Sequence, residues 1–474
     1  MTFADENLQE HVESTPSVAA LTTRGMAEVA AGRFRSAHEV ALAAIADSPR
    51  LTGSLSRAIA ELVEAMKEDG AEDELWIDLL DAASRLSAEH EAAAARLAIL
   101  RPPSVQRVQR TGELCVERWL GYPTEVIEAL RRDGADDDFA RTLFVYPWQT
   151  RAEVDATLKL VSSWRDPAAR IRGLVFAAET FLYRFGDFLG AAGLLEEVLQ
   201  VARQEQWASV EAKGLVRLTL AQLALGEIAT AQQTAEEALA RVRSLGDRLI
   251  PEHPGDTARD IYPGPSMQAN FACFLEGDWP AIADHWTTAA SLKERGGVAI
   301  VEAGMAAYAH ALAGNGAEAR RLLDALAQAL ALLEATDWAV NGAVGRGGRA
   351  VWILGLADLA RSFRTYALDL IAAGVGDWPT VSNHHTVACC AALLGDLDEA
   401  AEYFRLAEEH LLRDHHRPQR AIIRFDRGVA LSTAGATRHE AAGLLSAAAA
   451  EFAELDMRGW AQRAHEQLAA LSPK

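Results

Sequence analysis

Glycine recurs along this chain at nearly constant intervals. Successive intervals are 40, 51, 37, 41, 40 and 40 residues, and the glycines are Gly186, Gly226, Gly277, Gly314, Gly355, Gly395 and Gly435. Self-similarity at a fixed period of this length is the sequence signature of repeat architectures. We therefore predict that most of the chain is a stack of similar units rather than one globular core.

Alanines at fixed distances after the glycines indicate what each unit contains. Three glycines are followed by alanine at five and again at twelve residues, as Ala231 and Ala238, Ala360 and Ala367, Ala400 and Ala407. Two small residues seven apart share one face of a helix, where a neighbouring helix can approach closely. The glycine thus indicates a turn between antiparallel helices, and the alanines mark the packing seam of the second helix. After Gly435 the pattern slips by one residue, to Ala441, and then predicts Ala447.

Two parts of the chain resemble known helical families. Near the N-terminus, the spacing expected of a tetratricopeptide repeat is matched by Gly25, Gly32, Ala37, Ala44 and Pro49. Stretches such as LLSAAAAEFAELDMRGWAQRAHEQLAAL resemble the C-terminal sensor regions of bacterial LuxR-type and cyclase-linked ATPase regulators, over roughly residues 170–474. The resemblance implies an all-α, right-handed superhelical solenoid of antiparallel helix pairs with a period of about 40 residues. The P-loop motif of those regulators is absent, so we expect no ATPase activity.

Irregularities in the repeat suggest how the chain is divided. We predict a frayed N-terminus at 1–16, an irregular helical-repeat region at 17–170 and a regular array at 171–474. The Pro- and Gly-rich stretch 250–265 accounts for the one long interval and predicts an inserted loop. Degenerate helical hairpins are expected within 104–170. Residues 51–170 either form a separate module or continue the superhelix.

Charge and composition exclude several classes of partner. The net charge of -21 argues against nucleic-acid binding, which requires clustered Lys and Arg in excess. The acidic opening has no apolar core of a signal peptide, and no apolar run reaches the length of a membrane span. Four cysteines form no framework, which fits a reducing compartment. We predict a cytoplasmic protein that has no membrane partner and no cofactor.

The first helix of each tetratricopeptide pair lines a concave groove, and the resemblance therefore implies groove positions in this chain. Counting 10, 6 and 3 residues back from the turn glycines gives Phe176, Tyr183, Met267, Phe271, Phe274, Tyr308, Arg349, Trp352, His385 and Phe425. Apolar walls with a few polar anchors suit a peptide, a protein segment or a small effector. Alternatively, these aromatic residues pack between adjacent helices.

A basic stripe interrupts the acidic composition. The spacing of 3, 4 and 3 places four arginines on one helical face, namely Arg417, Arg420, Arg424 and Arg427. This stripe would receive an anionic partner, or it would pair with acidic residues of the neighbouring repeat. The nearby histidines lack the four-residue spacing of a helical metal pair, so no metal site is predicted.

One helix is unusually rich in glycine. The stretch NGAVGRGGRAVWILG carries Gly342, Gly345, Gly347 and Gly348. Each glycine destabilises an exposed helix interior by about 1 kcal/mol relative to alanine, so a local interaction should offset this density. Either a ligand or loop approaches closely, or the first turn is kinked and packs against its neighbour.

Three functions remain open from the sequence. The leading hypothesis is a regulatory sensor or adaptor that binds a peptide, protein segment or small effector in its concave groove. The second is an all-helical enzyme or ligand-sequestering protein of secondary metabolism, with an enclosed pocket beneath 250–265 that uses Arg349, Trp352 and His385. The third is a self-assembling scaffold, a homo-oligomer joined through its repeat ends. No catalytic motif is present, and we predict no catalytic residue.

Overall fold

The chain folds into two compact units that consist mainly of helices. The first unit holds the described residues between 16 and 100 and a helix at 124–132, and the second holds the others. The computed structural model describes residues 16–68, 71–89, 91–100, 105–111, 114–119, 124–132, 150–245, 274–291, 296–333, 338–377, 381–413, 415–433 and 438–471.

Helical hairpins form the first unit. Its first helix, α1, has three consecutive segments, of which the middle one is π-helical. The elements are α1 (Pro16–Ala19, Ala20–Gly25, Met26–Ala30), α2 (Phe34–Ala46), α3 (Gly53–Glu68), α4 (Asp73–Ser84), α5 (Glu91–Ala98) and, after the strands described next, α6 (Thr124–Arg132). The turn between α1 and α2 contains Gly32 at φ 69°, and Ala37 and Ala44 are buried beyond it. The helix pair implied by the tetratricopeptide resemblance is therefore present.

A β-hairpin replaces helices that the sequence analysis expected within 104–170. Strand β1 (Val105–Thr111) pairs antiparallel with β2 (Leu114–Trp119), and the register joins Thr111 to Leu114. The prediction of helices was wrong here. The stretch VQRVQRTGELCVERW is rich in β-branched residues on both sides of a Gly-Glu dipeptide, and these are the usual sequence signals of a two-residue hairpin.

The rest of the second unit is an array of helix pairs. Its helices are α7 (Arg151–Ser163), α8 (Pro167–Thr180, continued as a π-helix over Phe181–Phe185), α9 (Phe188–Gln204), α10 (Ala208–Leu225), α11 (Ile228–Leu245), α12 (Trp279–Ser291), α13 (Gly296–Leu312), α14 (Gly316–Leu330), α15 (Trp338–Leu354), α16 (Ala357–Ala372), α17 (Asn383–Leu394), α18 (Leu397–Arg413), α19 (Arg417–Thr433), α20 (Arg438–Glu454) and α21 (Arg458–Leu471). Consecutive helices pack against each other in pairs. The predicted solenoid of helix pairs is confirmed.

Most of the repeat glycines and alanines that the structure describes occupy the predicted places. Six turn glycines have positive φ angles between 65° and 105°, whereas Gly435 lies outside the described residues. The six seam alanines quoted above are all buried. In the last repeat, Ala441 and Ala448 are buried but Ala447 is exposed, so the prediction of Ala447 was wrong. The one-residue slip after Gly435 is therefore maintained through the whole helix.

The two helices of each pair differ in how much of their surface is buried. The first helices (α10, α13, α15, α17 and α19) are buried around most of their circumference. The second helices, such as α16, bury a single stripe, which in α16 consists of Ala360, Phe363, Ala367 and Leu370. The first helices thus form the interior of the array, and the second helices face solvent.

Repeats that are far apart in sequence touch each other inside the second unit. Arg184 Nη2 donates to the carbonyl of Ala373, 189 residues later, and Trp460 Nε1 donates to the carbonyl of Phe274, 186 residues earlier. Turn glycines lie at three further close approaches, Gly186 with Asp377, Gly226 with Arg417 and Gly277 with Gly459. The first three repeats of the array therefore contact the last three.

The glycine-rich helix is regular. It forms α15, and its glycines lie against neighbouring helices: a Cβ at Gly347 would overlap Phe363, and a Cβ at Gly348 would overlap Thr386. A Cβ at Gly345 would likewise overlap the side chain of Val381. Close packing on its neighbours accounts for the glycines, without the kinked first turn considered from the sequence.

Candidate functional site

The carboxylate of Asp426 joins three consecutive repeats in the interior of the array. Arg349 on α15 forms an ion pair with Asp426 Oδ2 through Nη1, and Trp352 on the same helix donates Nε1 to Oδ1 at 3.0 Å. From α17, His385 Nε2 lies 3.0 Å from Oδ2. Arg349, His385 and Asp426 are each at most 1% exposed. We call Asp426 and these three side chains the Asp426 centre.

Two neighbours complete the first layer of contacts. Arg349 Nη1 also donates to Cys389 Sγ at 3.3 Å, and Gln419 Nε2 donates to His385 Nδ1 at 3.0 Å. Because Nδ1 accepts this bond, a neutral imidazole carries its proton on Nε2, facing Asp426. The sequence therefore places hydrogen-bonding partners on both sides of the ring.

Charge in the centre follows from burial and pairing. Burial opposes the charge on Arg349, but the Asp426 carboxylate outweighs it and raises the pKa of Arg349. Burial also favours protonation of Asp426, yet the charge of Arg349 holds the pKa of that carboxyl below its ordinary value. Burial, assisted by the charge of Arg349, lowers the pKa of His385 to about 4. At neutral pH the ion pair is charged and His385 is neutral.

The Arg349 guanidinium also lies against the side chain of Tyr308. Its Nε and Nη2 atoms have no hydrogen-bond partner among the residues that the structure describes, although the side chain is buried. The centroid of the Tyr308 ring lies 5.6 Å from Arg349 Cζ. Burial raises the pKa of the Tyr308 hydroxyl to about 12, and the charge of Arg349 opposes that rise. Burial lowers the pKa of Arg463 on α21, and the charge of Asp426 opposes that shift. The buried Nε of Arg463 also has no partner in the described part.

Three predicted groove aromatics belong to a cluster around Trp460. Phe274, Tyr308 and Phe425 are buried, with ring centroids 6.1, 6.4 and 6.5 Å from that of Trp460. Trp279 approaches the same ring at 5.4 Å. These side chains pack between helices of different repeats, which is the arrangement that the sequence analysis gave as the alternative to an open groove.

The remaining predicted groove residues lie apart from the centre or outside the described residues. Phe176 is buried on α8, and Tyr183 is half-buried in the π-helical segment, where burial raises its pKa to about 12. Met267 and Phe271 lie outside the described residues, as does the predicted loop at 250–265. The structure thus brings together Arg349, Trp352 and His385, and places Tyr308 beside them.

Asp426 was not predicted from the sequence although a signal for it was present. Counting ten residues back from the glycines gave His385 in the Gly395 repeat, and the same count from Gly435 gave Phe425. The repeat slips by one residue after Gly435, as Ala441 and Ala448 show. Applying the same slip to the groove position gives Asp426.

Acidic side chains of neighbouring helices contact every arginine of the predicted anionic-partner stripe. Arg420 and Arg424 both donate to the carboxylate of Glu451, at 2.6 and 2.7 Å. Arg417 pairs with Glu454, and Arg427 lies 3.6 Å from Glu408 and 3.8 Å from Glu440. These are the intramolecular pairs that the sequence analysis set against an external partner.

A surface groove of about 480 Å³ lies at one end of the stripe. Leu189 and Leu412 are 57% and 53% exposed on its walls. The remaining lining residues are Leu225, Glu227, His415, Arg417 and Arg420. Exposed leucines beside cationic side chains give this groove an amphipathic character.

The donor atoms of His385, Cys389 and Asp426 lie within 4.8 Å of one another, which is a spacing compatible with a metal ion. His385 and Cys389 are four residues apart on α17, a pair that sequence analysis overlooked because it compared only histidines. However, Arg349 contacts both the sulfur and the carboxylate, and burial raises the pKa of the Cys389 thiol. A metal ion would be repelled by this guanidinium and would require the thiolate, so we assign the cation position to Arg349.

Comparisons with known proteins add no family assignment. No protein-family model matches the chain, and no curated protein is significantly similar in sequence. A Rap protein complexed with competence and sporulation factor matches 96% of this chain and 98% of its own, with 11% identity and a TM-score of 0.38. A circular tandem repeat protein matches 96% and 89%, with 14% identity and a TM-score of 0.15. At these values neither likeness carries an argument. Across the described residues, no helix is both long and apolar enough to cross a membrane.

Proposed function

We propose that this chain is a regulatory sensor or adaptor whose inner helices bind an effector, either a small molecule or the end of a peptide. The observation that carries the proposal is the convergence of Arg349, Trp352 and His385 on Asp426. A purely structural array would fill these interior positions with apolar residues, because buried charges and unpaired donors are unfavourable. The resemblance of residues 170–474 to the sensor regions of bacterial LuxR-type regulators supports the same role, in the cytoplasm.

The geometry supplies a way to transmit binding. Since α15, α17 and α19 belong to three consecutive repeats and share one carboxylate, a ligand that draws Arg349 away from Asp426 changes the packing of all three. Contacts between early and late repeats, such as Phe274 with Trp460, would then carry the change across the array. The output would come from a separate protein, to which this chain presents an altered surface.

Native mass spectrometry of the protein purified from its own host tests this proposal. A released small molecule or peptide, retained by the control Trp207→Phe but lost from Trp352→Phe, would support binding at the Asp426 centre. Trp207 is half-buried at the start of α10 and does not contact the centre. A protein that carries nothing, and whose melting temperature no extract fraction from the host raises, would contradict the proposal.

A second function, ligand sequestration or catalysis in an enclosed site, is favoured by the same three residues, which are the ones that the sequence analysis assigned to it. Chemical identity of the released molecule distinguishes the two: a substrate converted on incubation would establish an enzyme. The surface groove with Leu189 and Leu412 favours a peptide or protein partner outside the interior. The scaffold alternative gains no support from α21, because Trp460 and Ala464 are buried within the chain itself.

A further inference from the structure

The Asp426 centre is closed to solvent in this structure. Arg349, His385 and Asp426 are at most 1% exposed, and they lie on three different helices, α15, α17 and α19. These helices supply the side chains of the centre, so they cannot leave it without dismantling it. An effector reaches Arg349 only if another neighbouring element moves aside.

A chain of contacts leads from Arg349 outward to α21. Arg349 Cζ lies 5.6 Å from the centroid of the Tyr308 ring, and that centroid lies 6.4 Å from the centroid of the Trp460 ring. Trp460 is buried on the inner side of α21, whereas Gln462 and His465 of the same helix are exposed. Within the described part of the chain, α21 is therefore a single layer between Tyr308 and solvent on this side.

Few buried side chains hold α21 in place. Among its described residues, only Trp460 and Ala464 are buried, whereas the neighbouring α19 is buried around most of its circumference. The first turn of α21 meets the third repeat through backbone atoms. Gly459 lies so close to Gly277 that a Cβ on either residue would overlap the other. No side chains interlock at this contact, so the first turn can separate from the third repeat as a unit.

The hydrogen bond that holds Trp460 can be released without loss of a partner for its acceptor. The carbonyl of Phe274 accepts from Trp460 Nε1 at 3.3 Å and also from Trp279 Nε1 at 3.0 Å. If Trp460 withdraws, Trp279 still donates to this carbonyl, and the released indole N–H can bind water. The usual penalty for leaving a buried carbonyl unsatisfied is therefore avoided.

We propose that α21 is a lid over the Asp426 centre, closed by Trp460 and opened when that side chain leaves Tyr308, an inference that rests on the proposed function and describes how its site is reached. In the closed lid, Trp460 packs against Phe274, Tyr308 and Phe425, and burial of this aromatic surface favours closure. Opening uncovers Tyr308 first and the guanidinium of Arg349 next. An effector bound at Arg349 would thus change the position of α21.

Acetylation of Tyr308 by N-acetylimidazole, located by peptide mass spectrometry, measures opening of the lid in the full-length protein. The Tyr308 side chain is buried when the lid is closed. We expect Tyr308 to react in native buffer through an opening that depends on urea much more weakly than global unfolding does, because movement of α21 exposes only part of the buried surface. Tyr366, which is half-buried on the solvent-facing helix α16, is the internal reference.

Gly459→Ala should raise the acetylation rate of Tyr308 about tenfold, because the added Cβ overlaps Gly277 Cα and pushes α21 away from the third repeat. Gly443→Ala on α20 is the matched control, since Gly443 is exposed and nothing lies within 4 Å of a Cβ there. This control should leave the rate at Tyr308 unchanged. The rate at Tyr366 should be the same in the wild type and both variants.

Acetylation of Tyr308 with the urea dependence of global unfolding would overturn the inference, and this wild-type measurement decides it even if Gly459→Ala does not fold. Equal rates at Tyr308 in folded Gly459→Ala and Gly443→Ala would also overturn it. An effector that co-purifies with the wild type and is lost from Trp352→Phe, in a protein whose Tyr308 reacts only on global unfolding, would refute the lid alone. Selective acetylation of Tyr308 in a protein that binds no effector would support the lid and contradict the proposed function.

Discussion

His385 and Asp426 lie on different helices, α17 and α19, and approach within 3.0 Å between Nε2 and Oδ2. Gln419 holds the opposite ring nitrogen at 3.0 Å. The imidazole is therefore fixed in one orientation between an amide and a carboxylate, completely shielded from solvent. This relationship makes the stability of the array sensitive to pH.

We expect the free energy of unfolding to fall as the pH is lowered from about 6.5 to about 4. The pKa of His385 is about 4 in the folded chain against an ordinary value of 6.5, so the unfolded state binds a proton in this window and the folded state does not. The contribution is complete above pH 6.5 and amounts to about 3 kcal/mol. Urea unfolding at several pH values measures it. The dependence of the unfolding free energy on pH should become shallower in His385→Gln but not in the exposed control His439→Gln. Equal pH dependence in the wild type and His385→Gln would contradict the assignment.

Replacement of Asp426 by Asn should destabilise the protein by about 3–5 kcal/mol, because Arg349 would remain buried without its counter-ion. Asp398→Asn, at an exposed position on α18, is the control and should change stability by only a few tenths. Chemical denaturation measures both. If the double variant Arg349→Met with Asp426→Leu is as unstable as Asp426→Asn, the loss does not come from an unpaired charge.

Gly348→Ala should lower stability by about 1–3 kcal/mol, because the added methyl group overlaps Thr386 Cγ2 where α15 meets α17. Gly193 lies on the exposed side of α9, and nothing is within 4 Å of a Cβ there. Gly193→Ala should therefore raise stability by about 0.5–1 kcal/mol through helix propensity. Thermal unfolding of the two variants compares them, and a stabilising Gly348→Ala would rule out the tight packing of α15.

Gly277→Ala should be more destabilising than Gly355→Ala. Both glycines have positive φ, which disfavours alanine by about 1–2 kcal/mol. Only at Gly277 does the added Cβ also overlap the backbone of Gly459, where the third repeat meets the last. The difference in unfolding free energy should thus report on the contact between distant repeats. Equal losses in the two variants would indicate that this contact contributes nothing.

The double charge reversal Arg420→Glu with Arg424→Glu should lower the melting temperature, because both side chains would then face Glu451 as like charges. Arg405→Glu, on an exposed part of α18 with ion pairs only to its own helix, should have a much smaller effect. Differential scanning calorimetry measures the shifts. An unchanged melting temperature together with loss of an acidic partner would support the anionic-partner stripe instead.

Much of the interior site follows from the repeat pattern. Counting back from Gly355 and Gly395 located Arg349, Trp352 and His385, because a residue at a fixed distance from the turn has a fixed orientation on its helix. The count did not indicate whether such a position faces an open groove or a packed interior. Arg463 was not predicted, since no turn glycine follows it from which its position could be counted.

The sequence by itself determined the helix pairs, their turns and their packing seams, because glycine at positive φ and alanine at a helix contact are local requirements that recur in every unit. Tertiary structure decided which repeats, about 190 residues apart in sequence, contact each other, and therefore which side chains are enclosed. Small changes in the angle between neighbouring repeats accumulate along an array, so the position of the last repeat relative to the first depends on the sum of all the interfaces. The approach of Trp460 to Phe274, and of Arg184 to Ala373, is set by that sum.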